Sequence, residues 1–558
     1  MLILNVNSVT VITACVVSCL CSPVEAKDNI QVTTAYVPNI PYTKRNQSTT
    51  PRHSSAGIEN ANESSSMKLP TVAIIGGGIA GLSCASHLSR SGRCVPTVFD
   101  TGRLRPGGRC SSRFPNDTPK EANRESERSE GTSQDRILRS QVIDHAAQMI
   151  RVTDPGSEFA KQMRRWEEEG IVSRFPSGSV CELLTPKTPT NQPFSLRPLN
   201  GDRRRSAMKA SAQGTAIEKR AEKEQDAPTF YYGVQGMGRI PLAIARDGNI
   251  GIEQDVWVSP INGVKYVGTN TNGKSNNVPN TPRWRIKAKG QTLGEFDRLV
   301  VAHNGKCADR LMSTAPAKEL HSLLRVNFAP TVPSYGGNRM TLNSIYSLVF
   351  AVKKDSCPLS STLPPDVISL FVKNEPNLRF LSCNTRKHQQ SRLEEPYEIW
   401  TVLSSPKFAK QYKAPQENLP EEIVDEVTSI LLEAVERALG LEDSILKSTV
   451  VESKLQLWGA AVPLNTWAES PGFVYDATYG VGACGDWLLE PSIEGAWESG
   501  RRLANWICKE LDEGSKTGPS VFSVGLPPNG GKFKASQSAS QNGIASFNSG
   551  RASTVVAK

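Results

Sequence analysis

The sequence of 558 residues has no C-x-x-C pair, and none of its six histidines is paired at metal-ligand spacing. A zinc site of the usual kind therefore has no ligand set to draw on. No nucleophile elbow or hydrolytic triad is visible, so the chain offers no protein-borne nucleophile of that kind. No apolar run reaches the roughly 20 residues that a membrane span requires. Of the 12 cysteines, Cys15, Cys19 and Cys21 lie in one apolar stretch. The other nine are scattered and odd in number, in a chain long enough not to need disulfide staples.

Basic residues exceed acidic ones, Lys+Arg 65 against Asp+Glu 55, for a formal charge of +10. Much of the basic charge falls in loop-like stretches such as Asp202–Arg205 (DRRR), which reads as a solvated insert and not as a nucleic-acid face. Val9–Cys21 (VTVITACVVSCLC) has the length of a secretory h-region, and Val24-Glu25-Ala26 supplies a small-x-small cleavage pattern. No Lys or Arg precedes that run, and Met67 offers an alternative start. The expected organisation is a signal peptide over 1–26, then a Ser/Thr/Asn/Pro-rich linker or second targeting element over 27–68. One bilobed domain follows over 69–511, with polar inserts at 115–139 and 197–228, and then an unfolded tail over 512–558. Three destinations remain open: secretory or lumenal, plastid through a bipartite signal, or cytoplasmic from Met67. Stable membrane insertion after signal removal and nucleic-acid binding are not expected, and the sequence does not set an oligomeric state.

Within the domain, strand-like runs at 72–75, 97–99, 299–302 and 347–352 alternate with helix-like runs at 78–91, 157–169, 421–439 and 494–510. The helix predicted over 421–439 spaces Ile423, Val427, Ile430, Leu431, Val435 and Leu439 on one face. The fold class expected is α/β, a Rossmann-type lobe with a parallel sheet and a second lobe with antiparallel sheet and helices.

The stretch TVAIIGGGIAGL carries Gly76, Gly78 and Gly81 at G-x-G-x-x-G spacing, between a β-branched strand and a helix. Such glycines serve three separate needs: a tight turn at Gly76, close approach of backbone N–H groups to a pyrophosphate at Gly78, and close helix–sheet packing at Gly81. Ile79 and Ala80 open a helix whose N-terminal amides face the anion. Leu82, Ala85 and Leu88 continue its apolar face, and Gly92 is placed to cap it. Asp100 ends the second strand 24 positions after Gly76, near the separation of an acid that accepts from an adenosine ribose. Gly107-Gly108-Arg109, with Arg113 beyond, adds a second phosphate-directed element, since a guanidinium fork suits pyrophosphate oxygens.

These residues resemble the FAD-dependent amine-oxidase-like superfamily, nearest to the renalase-like oxidoreductases. Further stretches carry the likeness: Ile143–Gln148 (IDHAAQ), Tyr232–Met237 (YGVQGM), Leu457–Ala460 (LWGA), Gly482–Trp487 (GACGDW) and Ile493–Trp497 (IEGAW). The chain departs from the pattern in having Asp100 where glutamate is usual and Ala146 where glycine is usual. The resemblance implies noncovalent FAD, with Gly485-Asp486 at the ribityl chain. It also implies that the amides around Ile493, Glu494, Gly495 and Ala496 lie at the pyrimidine edge, where a helix N-terminus stabilises developing negative charge. Val256 joins the cofactor-side set on the same basis. Cys484 is read as a packing residue and not as a covalent flavin anchor.

In a flavin enzyme the cofactor carries the difficult step, and the protein holds the substrate and excludes water. The candidates for contact with substrate or flavin are His145, Gln148, Asn384 and Trp458, with Lys387 and Trp487 beside them. The expected function is oxidation of a small reduced substrate, an amine or a reduced nicotinamide, by hydride transfer to flavin and reoxidation by dioxygen to give peroxide. Two other readings stay open: a lipid or carotenoid desaturase or isomerase on the same FAD lobe, and a flavin-binding scaffold without turnover.

Overall fold

The computed structural model describes residues 69–115, 137–185, 194–200, 229–269, 282–388, 396–469, 471–514, 522–527 and 531–536. The expected signal peptide, the linker before Leu69 and most of both inserts lie outside these residues.

The first lobe is built on strand β1 (Thr71–Ile75), helix α1 (Ile79–Ser91) and strand β2 (Val95–Phe99). β1 is flanked in parallel by β2, with Ile75 opposite Phe99, and by Arg298–Val301, with Val72 opposite Arg298. Gly251–Glu253 extends the sheet beyond β2, and Val481–Ala483 extends it in parallel on the other side. An antiparallel strand, Val474–Asp476, forms the far edge. β1 is apolar from Val72 to Ile75 because both of its faces are covered there. Val72 and Ile74 pack on α1 and on the helix Ile493–Gly514 through Leu503 and Ile507. Ala73 and Ile75 face a three-stranded sheet through Trp284 and Ile286. α1 ends at Gly92, whose left-handed φ of 66° and N–H bond to the Ser89 carbonyl form the expected C-cap.

The second lobe is a seven-stranded sheet, running from Val450–Trp458 through Ile345–Lys353, Tyr397–Ser404, Leu378–Cys383, Ser369–Lys373 and Val180–Leu184 to Ser195–Pro198. Its side chains alternate between two cores. Leu348, Phe350, Leu370 and Val402 pack against Val427, Leu431 and Val435 of the helix Glu421–Leu439, whose bounds match those expected. Ile345, Phe371, Phe380 and Leu403 point the other way, towards the first lobe.

Three boundaries differ from expectation, each because a few apolar or pairing residues sit in polar company. Leu138, inside the expected insert at 115–139, is buried against Val349 and Ile399. Ser195–Pro198 pairs with Val180–Leu184, and the buried Asn200 accepts from Val180 N at 3.0 Å, so the second insert begins later than residue 197. The tail is not unfolded throughout. The C-terminal helix continues to Gly514, and Phe533–Ala535 pairs with Asn465–Trp467, placing the Phe533 ring 5.1 Å from Trp467 and 6.4 Å from Trp487. The nine cysteines from Cys84 onward are all free.

Arg298, on a central strand, is buried and donates to both oxygens of Glu510 on the C-terminal helix at 3.1 and 3.2 Å, and the Tyr475 hydroxyl donates to the same carboxylate. Removing one member of such a group leaves a buried charge without its partner. Glu510→Ala is expected to lower the unfolding free energy by about 3–5 kcal/mol in denaturant titration. The double change to Arg298→Met with Glu510→Leu is expected to recover most of that loss.

Candidate functional site

A single cavity of about 1180 Å³ runs from the glycine turn after β1 to the inner face of the second sheet. Ile75 leads into the turn at its foot. Gly76 has φ 114°, and a Cβ there would lie 3.1 Å from the Ala302 backbone, so only glycine makes this turn without strain. Gly81 packs α1 against the same turn, where a Cβ would overlap the Gly76 carbonyl oxygen. Gly78 is different: its φ of −77° is ordinary, and a Cβ would meet nothing within 4 Å. Its lack of a side chain leaves room on the cavity side of the turn, whereas Gly81 serves packing.

Asp100 lines the same end of the cavity and accepts from Gly77 N at 3.2 Å. Burial pushes its carboxyl above the usual range, against the pull of the amides of Gly77, Gly102 and Thr101. Val256 also lines the wall and donates its N–H to the Asp100 carbonyl at 2.9 Å. Gly107 bridges to Gly78, and Gly107, Gly108, Ile79 and Ala80 all face the cavity.

Arg109 does not project freely. Its guanidinium donates to both oxygens of Asp486, at 2.8 and 2.9 Å, and to the Ala461 carbonyl at 2.7 Å. The two residues expected to act separately, one towards phosphate and one towards a ribityl chain, are paired with each other on the cavity wall. Arg113 belongs elsewhere. It lies on the short strand Ser112–Arg113 paired with Ile143–Asp144, outside the cavity lining, and its charge acts on His145.

The IDHAAQ stretch shows where polar side chains went. Asp144 is fully buried, with one carboxylate oxygen accepting from Met237 N at 2.8 Å and from the Ser112 hydroxyl. The other faces Lys387 Nζ at 2.8 Å and His388 Nε2 at 3.1 Å. Burial opposes ionisation, but Lys387 and His388 outweigh it and hold the carboxyl well below the usual range. Gln148 reaches the cavity wall with its amide already anchored: Nε2 donates to the Asp144 carbonyl and Oε1 accepts from Lys387 at 2.9 Å. Asn384 does not reach the cavity lining; its Oδ1 accepts from Asp144 N at 3.0 Å and its Nδ2 donates to Thr401 at 2.8 Å. Lys387 likewise lies behind the wall.

His145 is buried off the cavity, its ring stacked on Trp458 with centroids 5.7 Å apart and planes 16° from parallel. Burial and the Arg113 charge push its pKa down to about 4, so the ring is neutral near pH 7. Trp458 and Trp487 both line the cavity, as do Cys484, Gly485, Ile493 and Ala496. Glu494 and Gly495 do not. Glu494 accepts from Thr153 N at 2.8 Å and from its hydroxyl at 2.6 Å, and Gly495 packs tightly on the Glu490 backbone.

Two wall features had no sequence signal. His303 follows the strand Arg298–Val301, and its ring lies 3.1 Å from the Ile75 carbonyl, backing the glycine turn. Arg151 lines the cavity, and its buried Nε has no hydrogen-bond partner among the described residues.

Residues 74–127 match a family described as an NAD(P)-binding Rossmann-like domain. Among solved structures, the chain is similar to an oxidoreductase from Methanosarcina mazei (13% identity, 78% of this chain and 100% of the other, TM-score 0.44). It is also similar to a putrescine oxidase bound to putrescine (13%, 79% and 99%, 0.44). A third is a cyclohexylamine oxidase from Brevibacterium oxydans IH-35A (13%, 79% and 99%, 0.46).

The glycines separate cleanly in a melting experiment. Gly81→Ala is expected to cost at least about 2 kcal/mol through overpacking, and Gly78→Ala less than about 1 kcal/mol. The buried neutral His145 makes a pH prediction. Between about pH 6.5 and pH 4 the unfolded chain holds a proton on this histidine that the folded chain does not. Stability therefore falls as pH falls through that window, by up to about 3 kcal/mol. Thermal melts from pH 7 to 4 are expected to show a shallower decline for His145→Phe, the remainder coming from His87 and His303, whose pKa values burial also lowers.

Proposed function

We propose that the chain is an FAD-dependent oxidoreductase of the amine-oxidase-like, renalase-like kind, acting on a small reduced substrate. The observation that carries this reading is the continuity of the cavity, which joins a dinucleotide-type glycine turn to an apolar chamber bounded by Ile345, Phe371, Phe380, Leu403 and Trp458. A nucleotide alone needs only the first part. At about 1180 Å³ the whole exceeds the roughly 300–1,000 Å³ of ordinary small-ligand sites, as a long cofactor plus a substrate requires.

The residues present fit FAD. Gly78 leaves room at the turn, the amides at the start of α1 suit a pyrophosphate, and Asp100 stands at the end of β2 for a ribose. Gly76, Gly78, Ile79, Ala80, Gly107, Gly108 and Val256 would hold the adenine half, and Gly485, Asp486, Ile493 and Ala496 the flavin half. Gly81, Arg109, Glu494 and Gly495 would support the set by packing or by pairing. When bound, FAD supplies the redox chemistry, accepting a hydride and passing electrons to dioxygen with formation of peroxide.

The chain's own part is positioning. Phe371, Phe380 and Leu403 desolvate the substrate, and Trp458, stacked on His145, sets one wall of the chamber. Gln148 contributes shape, because Lys387 and the Asp144 carbonyl hold its amide in place. Among the described residues, no side chain reaching the chamber is arranged as an acid–base pair, consistent with a hydride donor that needs none.

Purified protein is expected to be yellow or to become so with added FAD, and Gly78→Val is expected to weaken FAD binding at least ten-fold while leaving the melting temperature of the cofactor-free protein nearly unchanged. Anaerobic mixing with a panel of amines and dihydronicotinamides is then expected to bleach the flavin with at least one member of the panel, with peroxide on aeration. A protein that stays colourless and takes up no FAD would refute the assignment.

A further inference from the structure

Charge is unevenly distributed along the cavity. Three carboxylates line it. Asp486 is neutralised by Arg109, and Asp100 lies at the nucleotide end among backbone amides, leaving Glu417 at the rim. Against it stand Lys306, Lys410 and Lys413, all exposed, all lining the same cavity, and none with a carboxylate partner among the described residues. Lys306 instead lies over the Phe328 ring at 5.6 Å.

The chain ties two of these cations, Lys410 and Lys413, to the apolar chamber. Leu403 lines the chamber, Pro406 and Ala409 continue the wall along the short helix Pro406–Gln411, and Lys410 and Lys413 follow at the exposed end. The loop beyond is pinned where Gly459 N donates to Gln416 Oε1 at 2.9 Å, one residue from Trp458. Lys410 and Lys413 are thus held near the chamber opening, and Gly305, beside Lys306, comes so close to Ala460 that a Cβ there would lie 3.3 Å from the alanine methyl. A cationic amine entering here would meet three ammonium groups set against the single carboxylate of Glu417, and would find no free carboxylate in the apolar interior to receive its own charge.

Resting on the FAD reading above, we propose that the substrate carries an anionic head, a carboxylate or a phosphate, which docks on Lys306, Lys410 and Lys413 while its apolar body enters the chamber bearing the carbon to be oxidised. The lysines act as specificity determinants and take no part in the redox step. Charge-assisted hydrogen bonds from ammonium groups supply the selection, and because the groups are exposed it weakens with salt.

The test uses three probes that share one phenyl ring, namely benzoate, phenyl phosphate and benzylamine, titrated against the tryptophan fluorescence that Trp458 and Trp487 place in the cavity. Benzoate or phenyl phosphate is expected to bind at least ten-fold more tightly than benzylamine, and the tighter of the two identifies the head group. The double variant Lys410→Gln with Lys413→Gln is expected to reduce that preference to about three-fold or less, as is raising the salt to 1 M. Equal or tighter binding of benzylamine, or a preference untouched by the double variant, overturns the proposal. FAD loading is read separately by flavin absorbance, in both the parent protein and the variant. Failure to load FAD refutes the parent reading, and the same titration on the nucleotide-free protein still decides the charge preference.

Discussion

The cavity depends on the pairing of Arg109 with Asp486. These residues are 377 positions apart, and the guanidinium takes both carboxylate oxygens at 2.8 and 2.9 Å while also reaching the Ala461 carbonyl. One side chain thereby ties together the double-glycine turn after β2, the segment leading into the C-terminal helix, and the end of the second lobe. Only a planar fork does this, because a lysine presents one point of charge and cannot close two parallel bonds and a third. The turn at Gly107, itself bridged to Gly78, is placed against the glycine turn of β1 by the same anchor.

Behind this wall lies a second, fully buried layer. Asp144 gathers Lys387, His388, Ser112 and the Met237 amide, so the segment through Ala146 and Ala147 is fastened from its rear. A buried carboxylate survives desolvation only when its oxygens are all occupied, and here they are. Polar side chains are therefore spent holding the wall, and what faces the cavity is largely backbone, small residues and aromatic surface. A site of this construction supplies shape and dryness, and it leaves the charged groups at the opening as the main means of telling one entrant from another.

Much of this was legible in the sequence, and the reason is locality. The turn after β1, α1 with its Gly92 cap, the position of Asp100 and the helix Glu421–Leu439 follow from spacings within a few turns of chain. Arg113 and Asn384 were misread for one shared reason. Arg113 looks like Arg109, and Asn384 looks like any polar residue near a motif, yet strand pairing turns the first away from the cavity and the Asp144 amide claims the second. Phe533 was missed because one aromatic in a polar tail carries no periodicity, and its burial against Trp467 and Trp487 appears only once Phe533–Ala535 adds to a strand.

By itself, then, the sequence determined the glycine-turn end of the cavity: a strand, a tight turn at Gly76, a helix packed closely through Gly81, and an acid at the end of the next strand. Those are constraints between near neighbours, and residue type alone expresses them. Tertiary structure alone decided which polar side chains reach the cavity and which hold it from behind, and which lysines gather at its opening. That choice rests on the two-residue alternation of strands and on partners hundreds of positions away, so identical residue types receive opposite roles according to the face on which the fold sets them.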